Sequence, residues 1–148
     1  MLKNFKKLLE SAFEQPTAVV DNSNKQQLSA TSLLLQIALS DNQLADDEKR
    51  KTLERIVHLF ELNAEESHEL FEQALRKAEA STSVYEFTKD LKELDYQFRY
   101  QLVEDLWLVA NADAVIDPHE EALIRQIADL LYVTQSDYIR AKQCALQQ

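Results

Sequence analysis

Four carboxylates crowd the eleven residues NADAVIDPHEE at 111–121: Asp113, Asp117, Glu120 and Glu121. The stretch SDNQLADDE at 40–48 has a similar set in Asp41, Asp46, Asp47 and Glu48, and Asp41 and Asp113 stand 72 residues apart. Oxygen-rich sets suit hard divalent cations. Calcium takes roughly six to eight oxygens in irregular geometry, and magnesium keeps several of its waters. One turn offers too few ligands for a dry site. Neither turn is an EF-hand loop, because the aspartate and glutamate lie seven positions apart and the glycine of that loop is missing. Packing that brought the two turns together would gather four or more carboxylates. On this reading Asp41, Glu48, Asp113 and Glu120, with Asp47 and Asp117 beside them, are candidate ligands for calcium, magnesium or manganese.

Most of these acids also have a plainer explanation. Asp46, Asp47 and Glu48, like Asp117, Glu120 and Glu121, fall in or beside the first turn of a helical pattern. There a carboxylate is favoured by roughly 0.3–1 kcal/mol. Asp41 and Asp113 differ, since each follows the last apolar turn of a helix, where an anion opposes the dipole. Either an Asx-type bond to the loop backbone or a shared cation would compensate.

Other chemistries find little support. His58, His68 and His119 are scattered without zinc-ligand spacing, and each reads as a surface or partly buried residue. The single cysteine, Cys144, reads as a buried, inert thiol and excludes an internal disulfide. Phe98, Tyr100 and Trp107 fall at helical spacing and read as core. No nucleophile, base and orienting group can be named together, so the reading is non-enzymatic.

The elements that must position the acids follow from composition and periodicity. The chain has 148 residues, no glycine and two prolines. Without glycine, neither a Rossmann turn nor a P-loop can cradle phosphate. Twenty-six acidic residues against sixteen basic ones give a net charge of −10, which argues against nucleic acid and for cations or basic partners. No apolar run approaches the roughly 18 residues that span a bilayer, and the start, MLKNFKKLLESAFE, lacks the form of a secretory signal. With the lone cysteine, these features place the chain in the cytoplasm.

Helical patterns are expected at 27–40, 46–61, 64–79, 84–93, 96–111, 118–131 and 135–146, and nothing alternates as a strand would. Four pairs signal helix starts: Asn63 with Glu66, Ser83 with Glu86, Asp117 with Glu120, and Thr134 with Asp137. Pro118 then occupies the first helical position, where it does no harm. Before these, 2–14 carries an apolar stripe of Leu2, Phe5, Leu8, Leu9, Ala12 and Phe13, and polar residues 15–26 read as a linker. The division is therefore an N-terminal amphipathic helix and linker over 1–27 and a helical domain over 28–148.

That domain reads as two repeated units. Leu34, Ile37 and Ala38 correspond to Leu106, Val109 and Ala110, then Asp41, Leu44 and Glu48 to Asp113, Ile116 and Glu120. After a slip of one residue, Ile56, Phe60 and Leu62 match Ile127, Leu131 and Val133. The expected fold is an all-α bundle of about seven to eight helices built from the two units.

At the two acidic turns the sequence resembles the TerB-like family, the helical domain of tellurite-resistance protein TerB, to which the N-terminal domain of the co-chaperone DjlA is related. The family's duplicated turn, A-D-G-x-[IL]-x-x-x-E, has its counterparts in SDNQLADDE and ADAVIDPHE. The stretches VYEFTKDL and LYVTQSDYIRAK are similar to those of a subgroup of small bacterial proteins. The resemblance covers about 28–146. It implies an all-α fold of about seven helices, acidic positions at Asp41, Glu48, Asp113 and Glu120, and a link to stress responses. The family's motif glycine is replaced by Asn42 and Ala114. Because alanine enters the left-handed region only at a cost, the second turn is expected to be reshaped.

The residues and the resemblance together lead to a TerB-like interaction module that binds a divalent cation between its acidic turns. The alternative is a metal-free scaffold whose acidic face docks a basic partner protein. Residues 2–14 carry Lys3, Lys6 and Lys7 opposite the apolar stripe, but so short a helix suits a membrane poorly, and docking on the bundle is expected instead. Flotation of the intact chain with anionic liposomes at low salt should therefore show no binding. Robust flotation lost on deleting 1–14 would reverse the assignment.

Overall fold

Seven helices and no strand occupy the described residues, 16–40 and 44–147 of a computed structural model, with side chains described from residue 24 onward. They are α1 (Pro16–Ala38), α2 (Asp46–Phe60), α3 (Ala64–Ala80), α4 (Tyr85–Thr88), α5 (Tyr96–Ala110), α6 (Pro118–Leu130) and α7 (Gln135–Leu146). The amphipathic segment 2–14 and Asp41 lie outside the described residues.

Two helices form the centre. In α1 every residue from Ser29 to Leu35 is buried, and in α5 every residue from Asp105 to Ala110. An ordinary surface helix buries one stripe, so burial around the whole circumference marks both as interior. They pack against each other, α3 covers α1, and α7 covers α5. On the flanks α2 packs against α1, α3 and α5, and α6 against α5, α4 and α1. Ile56, Leu59 and Phe60 of α2 and Ile124, Ile127 and Ala128 of α6 supply their buried stripes. Phe98, Tyr100 and Trp107 are core residues as expected. The Trp107 ring lies 5.7 Å from that of Tyr138, and the Phe60 ring 6.1 Å from that of Phe98.

Interior helices must settle their polar groups locally. Thr31 Oγ1 donates to the Gln27 carbonyl at 2.8 Å, Ser32 Oγ to the Leu28 carbonyl at 2.7 Å, and Ser29 Oγ to Asp90 at 2.9 Å. Gln36 reaches out of α1 to donate to the Ala78 carbonyl at 3.0 Å, at the end of α3, where the last carbonyls have no amide four residues on within the helix. Arg99 of α5 serves α6 similarly, donating to the Leu131 carbonyl at 2.7 Å.

The two helical hairpins close alike. Glu61 after α2 and Tyr132 after α6 both take the left-handed conformation, at φ 54° and 57°. The amide of Leu62 then bonds to the Val57 carbonyl and that of Val133 to the Ala128 carbonyl, a Schellman-type closure at each. Asn63 and Thr134 cap the helices that follow, each accepting the amide three residues on.

Three local expectations need correction. Residues 16–26, expected as a linker, belong to α1, because Pro16 stands in the first turn, where proline is tolerated, and no glycine follows to break the helix. The helix expected at 84–93 is regular only over Tyr85–Thr88. Beyond it, Leu91 bonds back to the Thr88 carbonyl and Leu94 to that of Leu91, a tighter three-residue pattern. Ser83 is not paired with Glu86: its hydroxyl accepts the amide of Tyr85, two residues on.

A buried carboxylate interrupts the apolar centre. Asp105 is fully buried in α5, with Oδ1 accepting from Arg55 Nε of α2 at 2.9 Å and Gln101 Nε2 at 3.1 Å. Its Oδ2 has no hydrogen-bond partner. Burial pushes the carboxyl up to about 7, against the pull of Arg55 and Gln101. A carboxyl pKa raised in the folded state means that this chain binds a proton the unfolded chain has lost. Its contribution therefore worsens as pH rises from 3.8 to about 7 and levels off above. At about 1.4 kcal/mol per unit, the full penalty is on the order of 4 kcal/mol. Asp105→Asn removes the titration, so melts from pH 4 to 8 should show wild type losing ground to the variant through that window. Parallel profiles would mean that Asp105 stays ionised throughout.

Candidate functional site at the acidic turns

The second acidic turn is fully described. After α5 the Ala114 amide bonds to the Asn111 carbonyl at 2.9 Å. Asp113 is exposed, and its Oδ1 accepts the Val115 amide at 3.0 Å, an Asx-type bond. That bond supplies local compensation for an anion placed against the helix dipole. Ala114 holds φ 65°, so alanine adopts the left-handed conformation at the position where the family motif has glycine. Asp117 and Glu120 then form a reciprocal capping box. Asp117 Oδ1 accepts the Glu120 amide at 2.8 Å, and Glu120 Oε1 accepts the Asp117 amide at 3.1 Å. Pro118 takes the first helical position as expected.

At the first turn Asp47 is half exposed and pairs with Arg50 at 3.4 Å on the surface of its own helix. Glu48 is 4% exposed and Glu120 6% exposed, and neither residue is without a partner. The structure thus brings Asp117 and Glu120 together, while Asp113 and Asp47 serve their own turn and helix. No group of three or more acids, histidines or cysteines is assembled for a metal among the described residues, which exclude Asp41.

The residue before the first turn does lie near the start of α6. Ser40, which precedes Asp41, lines a cleft with His119, which precedes Glu120, and with Gln36 and Leu123. The end of α1 therefore faces the start of α6.

Some interacting side chains escaped the sequence reading. The Asp105–Arg55 pair had a visible signal, the adjacent carboxylates Glu104 and Asp105 within the otherwise apolar run LVEDLWLVA, but its partner 50 residues away had none. Tyr96 donates to Asp137 Oδ2 at 2.6 Å and accepts the Thr134 amide at 3.1 Å, tying α5 to the start of α7. This phenol, before Arg140, holds the Asp137 carboxyl below its usual range. Cys144, expected to be buried, is exposed, because α7 turns Tyr138, Ala141 and Ala145 inward instead.

The strain at Ala114 is measurable. A left-handed alanine costs about 1 kcal/mol relative to glycine, so Ala114→Gly should raise stability by about that amount and the melting midpoint by about 2–5 °C. Ala112→Gly, where φ is not positive, should lower it by about 0.5–1 kcal/mol. Two destabilised variants would show that the turn carries no strain.

Comparison with known proteins agrees with this architecture. No curated protein and no solved structure gives a significant match, and no described helix is long and apolar enough to cross a membrane. The model of one family, described as tellurite resistance protein TerB, matches residues 27–143. With an all-helical fold and most of its length inside that match, the chain belongs to the TerB family.

Proposed function

We propose that the chain is a non-enzymatic helical module of the cytoplasm, associated with stress responses, that holds a divalent cation between its two acidic turns and engages a protein partner. The observation that carries this reading is the shared cleft. It sets the residue before Asp41 opposite the residue before Glu120. Burial of Glu48 and Glu120, 72 positions apart, adds support, because a helix-start glutamate that served only the dipole could remain in water. The matching left-handed closures at Glu61 and Tyr132 support reading the two halves as a duplicated unit. Calcium, magnesium and manganese, all of which take carboxylate oxygens, are the candidates.

A second reading rests on a different observation. Asp113, Asp117 and Glu120 each accept a backbone amide, and those bonds give every one of them a structural task without a metal. On that reading the acidic face docks a basic protein directly.

Thermal melts in calcium, magnesium and manganese separate the two. An ion that binds only the folded chain adds roughly 2.7 kcal/mol at about 100 times its dissociation constant, and so raises the midpoint by several degrees. Asp113→Asn and Glu120→Gln should abolish that gain while nearly preserving stability in metal-free buffer, since each amide keeps an oxygen to accept the same backbone bond. A flat response to all three ions leaves the metal-free reading.

A further inference from the structure

In a chain of net charge −10, a groove along α6 and α7 has two cations, Arg125 and Lys142, and one acid, Glu121, in its lining. Its floor is Tyr138, 3% exposed, whose Oη is buried and has no hydrogen-bond partner. Burial raises the pKa of this phenol, against the pull of Arg125 beside it. Two cations flank the floor: Arg125 over the Tyr138 ring at 5.2 Å and Lys142 over the Trp107 ring at 5.1 Å. Lys142 pairs with Glu121 at 2.9 Å, whereas exposed Arg125 faces no carboxylate at ion-pair distance among the described residues. Ile139 and Leu146, 44% and 39% exposed, stand along one wall seven residues apart, two turns of α7.

We infer that this groove docks an acidic amphipathic helix of a partner protein. Two exposed apolar side chains about 10 Å apart along a helix match apolar anchors repeated at i, i+3 or i+4, and i+7 on an incoming helix. The exposed Arg125 guanidinium, with no carboxylate at ion-pair distance among the described residues, selects a carboxylate between those anchors. The groove follows α7 from Gln135 to Gln147, about 18 Å at helical rise, which suits a peptide segment better than a single small anion. The inference needs no cation at the acidic turns, so a flat metal titration leaves it intact.

The test is selection of a displayed library of amphipathic helices on the intact protein. Apolar positions are fixed at helical spacing, and polar positions vary among Asp, Glu, Lys, Arg and Ser. Enrichment of acidic clones is expected. Arg125→Glu and Ile139→Gln, both surface changes whose folding is checked by melting, should each weaken their binding at least tenfold. Replacing the clones' acids by lysine should abolish it, and added salt should weaken it. Failure to enrich any clone, loss of the acidic bias, or unchanged binding to Arg125→Glu would overturn the proposal. So would capture of the chain by phosphatidylserine vesicles through Arg125 with no peptide bound, which would assign the groove to a membrane surface.

Discussion

A helix buried on every side has nowhere to send its polar groups, and this chain places two such helices, α1 and α5, at its centre. The surrounding structure answers that constraint. Hydroxyls in α1 fold back onto carbonyls four residues earlier, and Gln36 and Arg99 turn outward to bond carbonyls at the ends of α3 and α6. Each cross-link orders a peripheral helix against a central one. The exception is Asp105, whose bond to Arg55 joins α5 to α2 and leaves one oxygen without a partner. An interior of this kind gains orientation from its buried pair more than stability, because well-packed apolar residues often replace such pairs without loss.

How much could be read beforehand depended on the range of each interaction. The helix starts at Asn63, Asp117 and Thr134 were legible because a cap and its amide lie three residues apart. Ile56, Phe60, Ile127 and Leu131, all buried, were legible from the repeat, and the aromatic core residues from their helical spacing. Residues 16–26 misled because polar composition was taken as a break, while the backbone had no glycine to end a helix. Cys144 misled because whether one position faces in or out depends on the rotation of α7 against α5, which packing decides. The orientation of the α6–α7 groove belongs to the same class.

At the acidic turns the sequence showed where the acids gather, and the structure showed what each one holds. Asp113 braces a turn, Asp117 and Glu120 close a helix start, and Asp47 pairs within its helix. The left-handed Ala114 was the least legible feature. Residue type argues against that conformation, and only the surrounding bonds, from Asn111 to Val115, impose it. Family membership fixes the architecture in which these bonds are made, and the chemistry of the site rests on the side chains themselves.

The central pairing also has a consequence for synthesis. One covering of α1 comes from α3, within the same half of the chain, but another comes from α5, which begins 58 residues after α1 ends. At ribosomal rates of about 5–20 residues per second, that interval is roughly 3–12 s. Throughout it the most apolar turn of α1, Leu33-Leu34-Leu35, lacks its companion helix. Nascent chains of this protein therefore pass through a stage at which a half-covered helix is open to holding chaperones. The arrival of α5 ends that stage.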